Sequence, residues 1–573
     1  MAKRVADLLV DVLLEAGVER IYGVTGDSLN GLADAIRRRE QIRWIHVRHE
    51  EAAAFAAGAE AHLTGKLAVC VGSSGPGNLH LINGLYDCHR SRVPVLAIAA
   101  QIPSKEIGSN YFQETRPEHL FAQCSHYCEL VSQSEQMPRV LEIAIQTATS
   151  KRGVAVIALP GDVALRDTIH DETRVHFSEP RPIVCPSEEE LSILAEVLNQ
   201  SKKITILAGA GCAGAHAELM QLAGKAQAPI VHAMRGKEFI EYDNPFDVGM
   251  TGLLGFSSGY YAMMSCEVLL MIGTDFPYQE FYPKEATIIQ IDIRGEQLGR
   301  RAKLDFGFVG DTKATLRAVL PKLQQNQNEA HLKRSLEHYR KARLGLDELA
   351  TADSAKPVHP QYVARVLDQL AEDDAVFTCD VGTPTIWAAR YLTMNGKRRL
   401  LGSFTHGSMA NALPQAIGAQ ATYPGRQVIS LSGDGGFAML MGDLLTLRQH
   451  QLPVKMVVFK NDSLAFVELE MKAGGILDFG TDLQNPDFAS IAEGAGIMGL
   501  RAETPDQVEP MLAKALEHDG AALVEVPVSR QELSMPPTIA YEQAKGFSLF
   551  LMRAVLNGRA DEIVDLANVN LFR

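Results

Sequence analysis

The residues best suited to chemistry are Gly433-Asp434-Gly435 and Asn461, with the aspartate and asparagine 27 positions apart. Each stands just past an apolar run with strand character, residues 428–431 and 454–459. Loops at the carboxyl ends of adjacent parallel strands are where doubly wound sheets bind ligands. Glycines there let backbone N–H groups approach a diphosphate, and a following helix offers its positive end. The Asp434 carboxylate and the Asn461 side-chain oxygen are hard ligands suited to Mg²⁺. A lone Gly-Asp-Gly is more often a tight turn; the asparagine after a second strand tips the balance. A second candidate is Arg48-His49-Glu50-Glu51-Ala52, between a strand at 43–47 and an alanine-rich helix. Two carboxylates at a helix start favour the helix dipole, and alone that is the better reading.

These residues need a scaffold of alternating strands and helices, and 573 residues are too many for one core. Residues 20–24 form a strand ending in Thr25-Gly26-Asp27-Ser28, where Asp27 or Ser28 is placed to cap the next helix. Residues 67–71, 93–99 and 154–159 are apolar on both faces, as central strands of a covered parallel sheet are. A second α/β set has strands at 204–207, 268–272 and 288–293, and a third at 375–379, 428–431, 454–459 and 522–526. Prolines between 180 and 186, and a polar helical stretch from about 324 to 360, read as linkers. The first and third sets share a strand, a glycine-rich turn and a helix, at Ser73-Ser74-Gly75-Pro76-Gly77-Asn78 and at 432–436, a theme compatible with distant duplication. In the second set, Gly209 to Gly214 satisfies G-x-G-x-x-G. The acid expected after the next strand is missing, because Val231 leads into His232-Ala233-Met234-Arg235, which argues against NAD. Asp292 ends a strand and either grips a ribose hydroxyl or turns the chain. Pro536-Pro537 sets off a tail.

A net charge of -14 argues against a nucleic-acid partner. The runs Arg37-Arg38-Arg39 and Lys397-Arg398-Arg399 read as a solvated helix face or loop. Eight scattered cysteines form no zinc pattern, and with no secretory leader a reducing cytoplasm is expected. The apolar start is broken by Asp7, Asp11 and Glu15 at helical spacing and reads as an amphipathic helix. No apolar run reaches the ~18 residues of a spanning helix, so membrane contact is expected to be peripheral.

The Gly433-Asp434-Gly435 and Asn461 pattern resembles the thiamine-diphosphate enzymes, whose signature ends in Asn-Asn; here Lys460 replaces the first Asn. The resemblance implies Asp434, the Asn461 side chain and the Ser463 carbonyl as Mg²⁺ ligands. It makes Asp462, Leu464, Ala465, Phe466 and Val467 the rest of the cofactor loop. It implies that Glu50 contacts N1′ of the aminopyrimidine, with Glu51 its solvated neighbour. Holding a proton there converts the 4′-amino group to the imino form that deprotonates the thiazolium. Gly407-Ser408-Met409 matches the segment that bends the coenzyme, with Met409 beneath it. Phe112 and Gln113, in Asn110-Tyr111-Phe112-Gln113-Glu114, match a loop lining the substrate pocket. Glu50 and Asp434 lie in different domains, and in the family the site joins two subunits, which implies an obligate oligomer, a tetramer.

The middle set resembles the FAD domain of the flavin-dependent pyruvate oxidases. The resemblance carries FAD contacts to Thr251-Gly252-Leu253-Leu254, Thr274-Asp275-Phe276-Pro277-Tyr278 and Asp292, and places Phe466 between thiamine and flavin. In the tail, Phe547, Phe550, Leu551, Ala554 and Val555 form one helical stripe. Ile563, Leu566, Ala567 and Leu571 continue it beyond Gly558, Phe572 ends it, and Lys545, Arg553 and Arg559 flank it. That stripe suits packing on its own domain or a bilayer interface. It resembles the lipid-binding segment of the quinone-linked members of the family.

The fold expected is therefore α/β: three doubly wound parallel-sheet domains and a helical membrane-binding tail. Residues 1–182 would bind the pyrimidine, 183–335 FAD, 336–531 the diphosphate and Mg²⁺, and 532–573 the membrane. The activity implied is oxidative decarboxylation of pyruvate to acetate and CO₂, with electrons passing through FAD to ubiquinone at the inner face of the cell membrane. The alternatives are an acetohydroxyacid synthase with non-redox FAD, or a non-catalytic membrane-docking protein on the same fold.

Overall fold

The computed structural model describes residues 3–168, 182–352, 357–530, 532, 541–557, 559, 563, 564, 566 and 570. Three six-stranded parallel sheets organise the chain. The first holds β1 (Arg20–Gly23), β2 (Arg43–His46), β3 (Ala68–Gly72), β4 (Val95–Gln101), β5 (Tyr127–Leu130) and β6 (Val154–Pro160) in the order 2-1-3-4-6-5. The second holds β7 (Ile204–Ala208), β8 (Ile230–His232), β9 (Asp247–Met250), β10 (Val268–Ile272), β11 (Thr287–Asp292) and β12 (Phe306–Val309) in the order 12-11-10-7-8-9. The third holds β13 (Val376–Cys379), β14 (Arg399–Gly402), β15 (Val428–Gly433), β16 (Lys455–Lys460), β17 (Met498–Arg501) and β18 (Ala522–Pro527) in the order 14-13-15-16-18-17. Sheets one and three thus repeat one topology. The second reads 3-2-1-4-5-6 in its own numbering, the dinucleotide-binding order.

The central strands β3, β4, β6, β7, β10 and β13 are buried along their whole length, as their apolar runs require. Several strands are short and only partly buried and so are not recognised in the sequence, among them β5, β12, β14 and β17, all at sheet edges. The basic run at 397–399 is no solvated loop. Arg398 is buried and donates to the carbonyls of Ala371 at 2.7 Å and Glu372 at 3.1 Å, and Arg399 opens β14 and pairs with Glu238 at 2.7 Å. Arg38 and Arg39 tie their helix to Asp7 (2.6 Å) and Asp11 (2.7 Å) of the first helix. Neither Asp27 nor Ser28 caps the helix Asn30–Arg39; a turn at Asp27–Leu29 precedes it, and the Ser28 hydroxyl accepts from the Ser74 N–H at 3.0 Å.

Domains one and three share a core. The helix Glu50–Thr64 lies against Pro76–Ser91 and Ala412–Thr422, and small residues let the backbones close up. A Cβ on Gly418 would sit 2.1 Å from the Ala56 carbonyl oxygen, and one on Gly84 would sit 2.6 Å from the Ala54 Cβ. This packing holds the Glu50 helix end in place. The stretch expected as a second linker contains the helix Ala330–Leu349, which packs on the middle domain through Thr205–His331 and Ser257–His338 contacts of 2.8 and 3.0 Å. Arg390 then ties domain three to the Leu254 carbonyl at 3.1 Å.

The tail helix Tyr541–Leu556 folds back on domain three. Phe550 and Ala554 are buried, Phe547 and Leu551 half-buried, and Val555 points outward, so the stripe is narrower than expected. Arg553 donates to the Gly475 carbonyl and Arg559 to Asp478 at 2.6 Å. Leu566 is buried and Ile563 half-buried; Gly558, Ala567, Leu571 and Phe572 lie outside the described residues, as do Pro180, Pro536 and Pro537. No described helix is long and apolar enough to cross a membrane.

Gly418→Ala should lower stability by about 1–3 kcal/mol, the usual cost of overpacking. Gly345→Ala, where a Cβ meets nothing within 4 Å, should not destabilise. Thermal unfolding of both variants checks this.

Candidate functional site

Glu50 begins its helix, with His49 as N-cap accepting the Glu51 N–H at 3.2 Å through Nδ1. The Glu50 carboxylate is buried, lies 2.9 Å from His80 Nδ1, and would be 2.9 Å from a Cβ on Gly77. It therefore faces the turn after β3, at the point where the strand order of the first sheet reverses. Glu51 is not a free solvated neighbour: it is half-buried and accepts from Asn83 Nδ2 at 2.8 Å. Asn83 also donates to Ser408 Oγ at 2.8 Å, and its side-chain oxygen meets His406 Nε2 at 2.8 Å, fastening the first domain to the Gly407–Met409 segment. Gln113 adopts a left-handed φ of 64° and reaches the same turn, its Oε1 accepting from Ser74 Oγ at 3.2 Å. Phe112 is 77% exposed beside it.

Asp434 lies at the matching point of the third sheet. β15 and β16 pair in parallel with Gly433 opposite Phe459, so Asp434 and Asn461 emerge side by side. Four N–H groups converge on the carboxylate: Gly435 at 2.8 Å, Asn461 at 3.0 Å, Asp462 at 2.6 Å and Asn485 Nδ2 at 2.9 Å. Burial nonetheless pushes Asp434 up to about 6. Among the described residues no lysine or arginine forms an ion pair with it. A buried carboxylate lacking a protein cation fits a bound metal ion. The Asn461 side-chain oxygen now accepts the Ser463 N–H at 3.1 Å. No described cluster holds three or more His, Cys, Asp or Glu ligands, as a site of one carboxylate with amide and carbonyl oxygens would not.

Glycines shape the anion cradle. A Cβ on Gly436 would lie 2.6 Å from Asp380 Oδ2, and one on Gly433 3.7 Å from Pro384. The turn after β13, with Gly382 at a φ of 131° that only glycine adopts easily, thus faces the turn after β15. A Cβ on Gly435 would lie 2.9 Å from Leu464 and 3.5 Å from Met409 Cε, so Met409 and Leu464 converge on this loop. Lys460 points away from it. Its ammonium donates to the Pro486 carbonyl at 2.9 Å, lies 3.6 Å from the fully buried Glu525 and 6.0 Å from the Phe488 ring centroid. The departure from Asn-Asn therefore adds no charge to the cradle. Of the loop, Ser463 is buried, Leu464, Ala465 and Phe466 half-buried, and Asp462 and Val467 exposed.

In the middle sheet the order reverses between β7 and β10. Gly209 and Gly211 press against Gly273 there, with hypothetical Cβ contacts of 2.6 Å, and Thr274 follows, buried. The next α-helix starts only at His216, after a 3₁₀ turn at Ala210–Cys212, so the glycine turn does not open an α-helix as an NAD fingerprint does. Thr251 Oγ1 is buried with no hydrogen-bond partner among the described residues, and Gly252, at a φ of 94°, faces Phe276. Phe276 and Tyr278 meet edge to face at 5.5 Å. Asp275 is engaged by Arg301 at 2.8 Å, which leaves its carboxylate less free than expected. Asp292 is buried at the end of β11 and accepts the Arg294 N–H at 2.9 Å. Beside it Arg92 is half-buried with no side-chain partner among the described residues. Burial, with Arg294 and Arg152 nearby, pushes Arg92 down to about 10. A threonine hydroxyl and a guanidinium with no hydrogen-bond partner among the described residues, beside a carboxylate at a strand end, fit a phosphorylated nucleotide such as FAD. Arg92, Asn83, His80, Asp380 and Asn485 were not singled out in the sequence, because each is a lone polar residue whose partners are remote along the chain.

Residues 3–120 match the N-terminal TPP binding domain of the thiamine pyrophosphate enzymes, residues 191–319 the central domain, and residues 380–526 the C-terminal TPP binding domain. The chain belongs to this family and is a thiamine pyrophosphate-dependent enzyme of the kind acting on 2-oxo acids. It is 37% identical to the putative thiamine pyrophosphate-containing protein YdaP of Bacillus subtilis over 99% of both chains. It is 31% identical to a pyruvate oxidase of Lactiplantibacillus plantarum, over 91% of this chain and 88% of that one. It is also 31% identical to a probable acetolactate synthase large subunit of Methanocaldococcus jannaschii, over 93% of each.

Lys460→Asn, which restores the family pair, should leave thiamine diphosphate affinity within about twofold while lowering the unfolding temperature, because Glu525 loses a cation. Calorimetric titration and thermal unfolding separate the two effects.

Proposed function

We propose that this enzyme oxidatively decarboxylates pyruvate to acetate and CO₂ on thiamine diphosphate and Mg²⁺, passing two electrons through FAD to ubiquinone. The observation that carries this reading is the placement of one helix, Ala465–Ala473. Its start leaves the Asp434 loop, its half-buried Phe466 packs against the same domain-three core as Leu254 of the middle domain, and its Lys472 underlies Phe550 of the tail. A thiamine site, a flavin site and a lipid-facing segment would thus be joined through one element.

When bound, thiamine diphosphate supplies an electron sink for decarboxylation and FAD a two-electron acceptor. Asp434, Asn461 and the Ser463 carbonyl hold Mg²⁺, and the glycine turns after β13 and β15 receive the diphosphate. Glu50 holds the proton at N1′, oriented by His80. Met409, which converges on the Gly435 loop, would support the coenzyme, and Phe112 with Gln113 would line the pyruvate pocket. Thr251, Thr274, Asp292 and Arg92 would hold the FAD nucleotide, and Phe276 and Tyr278 would offer it aromatic contact. Among the described residues no hydrogen bond joins Glu50 to the Asp434 loop. A second copy of the chain brings the two halves together, within a tetramer. The tail exchanges its place on domain three for the inner face of the cell membrane when that surface binds it better.

The competing reading is an acetolactate synthase, which the similarity to the archaeal chain supports equally. Anaerobic titration with pyruvate should bleach the flavin, and lipid vesicles carrying ubiquinone should restore its absorbance. Acetolactate formed without bleaching would establish the synthase instead. Glu50→Gln should lower pyruvate-dependent turnover by about 10²–10⁴-fold, the usual contribution of a positioned proton-transfer group; unchanged turnover would remove Glu50 from that role.

A further inference from the structure

Glu468 occupies a junction that neither the cofactor contacts nor the tail stripe accounts for. Its carboxylate is buried, one helical turn beyond the start of the helix Ala465–Ala473. One oxygen accepts from the Ser463 hydroxyl at 2.6 Å and from Arg530 Nε at 3.1 Å; the other accepts from Lys472 Nζ at 2.6 Å. Arg530 also pairs with Asp482 at 2.5 Å, and the backbones of Ser463 and Asp482 form an antiparallel bridge. Leu464 and Leu483 extend that bridge by donating to the carbonyls of Thr481 at 2.8 Å and Asp462 at 2.9 Å. Two cations and two carboxylates therefore brace the loop from behind.

Lys472 is buried as thoroughly as Glu468, and what covers it is the tail. Its ammonium lies 5.3 Å from the centroid of the Phe550 ring, itself fully buried. A buried ammonium is tolerated where a carboxylate neutralises it and an aromatic face replaces lost water. With the ring gone, water reaches Lys472 and competes for it. Lys472 then neutralises Glu468 less firmly, and the hold of Glu468 on Ser463 loosens.

We propose that Glu468 is a positioning residue that couples docking of the tail helix to the geometry of the Asp434–Asn461–Ser463 loop, through the Ser463 hydroxyl on one side and Lys472 with Phe550 on the other. This rests on reading that loop as the Mg²⁺–diphosphate site. A docked tail stiffens Ser463 and favours the bound cofactor, and by linkage the bound cofactor favours the docked tail.

The test is a double-substitution cycle on the full-length, cofactor-stripped protein, titrated calorimetrically with thiamine diphosphate over a range of Mg²⁺ concentrations. Phe550→Leu keeps the apolar contact and removes the aromatic face. It should weaken Mg²⁺-dependent binding about three- to tenfold and speed amide hydrogen exchange over residues 461–473 before cofactor is added. In a Ser463→Ala background the same substitution should shift affinity by no more than about twofold. Should Ser463→Ala fail to fold, Glu468→Gln combined with Lys472→Met removes both charges together and replaces it in the cycle. Additive effects, or a Phe550→Leu protein with unchanged affinity and exchange, overturn the coupling. Cofactor binding by the wild-type protein that ignores Mg²⁺ would instead overturn the loop assignment beneath it.

Discussion

Asp434 is buried, receives four N–H groups and forms no ion pair with a lysine or arginine among the described residues. Burying such a group without a cation is expensive, and burial raises its proton affinity even against those four bonds. Much of the third domain follows from that requirement. The donors come from three segments, the turn after β15, the turn after β16 and the stretch containing Asn485, so all three must converge on one carboxylate. Parallel pairing of β15 with β16 delivers the first two. The bridge between Ser463 and Asp482 helps bring the third. A loop organised around an anion that no described lysine or arginine neutralises would suit a metal ion, because the ion would remove that penalty.

Close backbone approach is the second constraint. The Glu50 helix, its neighbour Pro76–Ser91 and the helix Ala412–Thr422 meet at glycine and alanine, where even one added methyl would collide with backbone or side-chain atoms. Dense packing of this kind transmits position with little slack. It fixes Glu50 against the turn after β3, and Asn83 ties the helix Pro76–Ser91 to Ser408. The repeated strand order of sheets one and three gives each the same crevice for one part of a ligand, while the middle sheet's different order suits a dinucleotide.

The central strands were legible because burial on both faces leaves continuous apolar runs, as at 67–71 and 268–272. The edge strands Tyr127–Leu130 and Met498–Arg501 were not, because one-sided or partial burial relaxes the pattern. The Asp434 and Asn461 pair was visible because each follows a readable strand. Asn485 and Arg92 were invisible because their roles exist only once remote segments meet. The basic run at 397–399 misled for the same reason: Arg398 spends its hydrogen bonds on carbonyls near residue 371, and local composition carries no trace of that. Tail periodicity marked a helix correctly, yet could not say which side would be covered, since a stripe of Phe and Leu suits a protein groove and a lipid surface alike.

Lys460 shows how a signature position can change while the site it marks does not. A lysine beside a diphosphate cradle would alter its field if the ammonium turned inward. Here Glu525 is fully buried, and its carboxylate draws the ammonium toward itself, Phe488 and the Pro486 carbonyl. The Phe488 N–H donates to the same carboxylate at 2.6 Å, so Lys460, Glu525 and the 486–488 segment form one unit. Asn485 stands at the edge of that unit and donates to both Asp434 and Asp462. The lysine thus steadies the fold around the 486–488 segment, and the cradle's charge stays that of its own ligands.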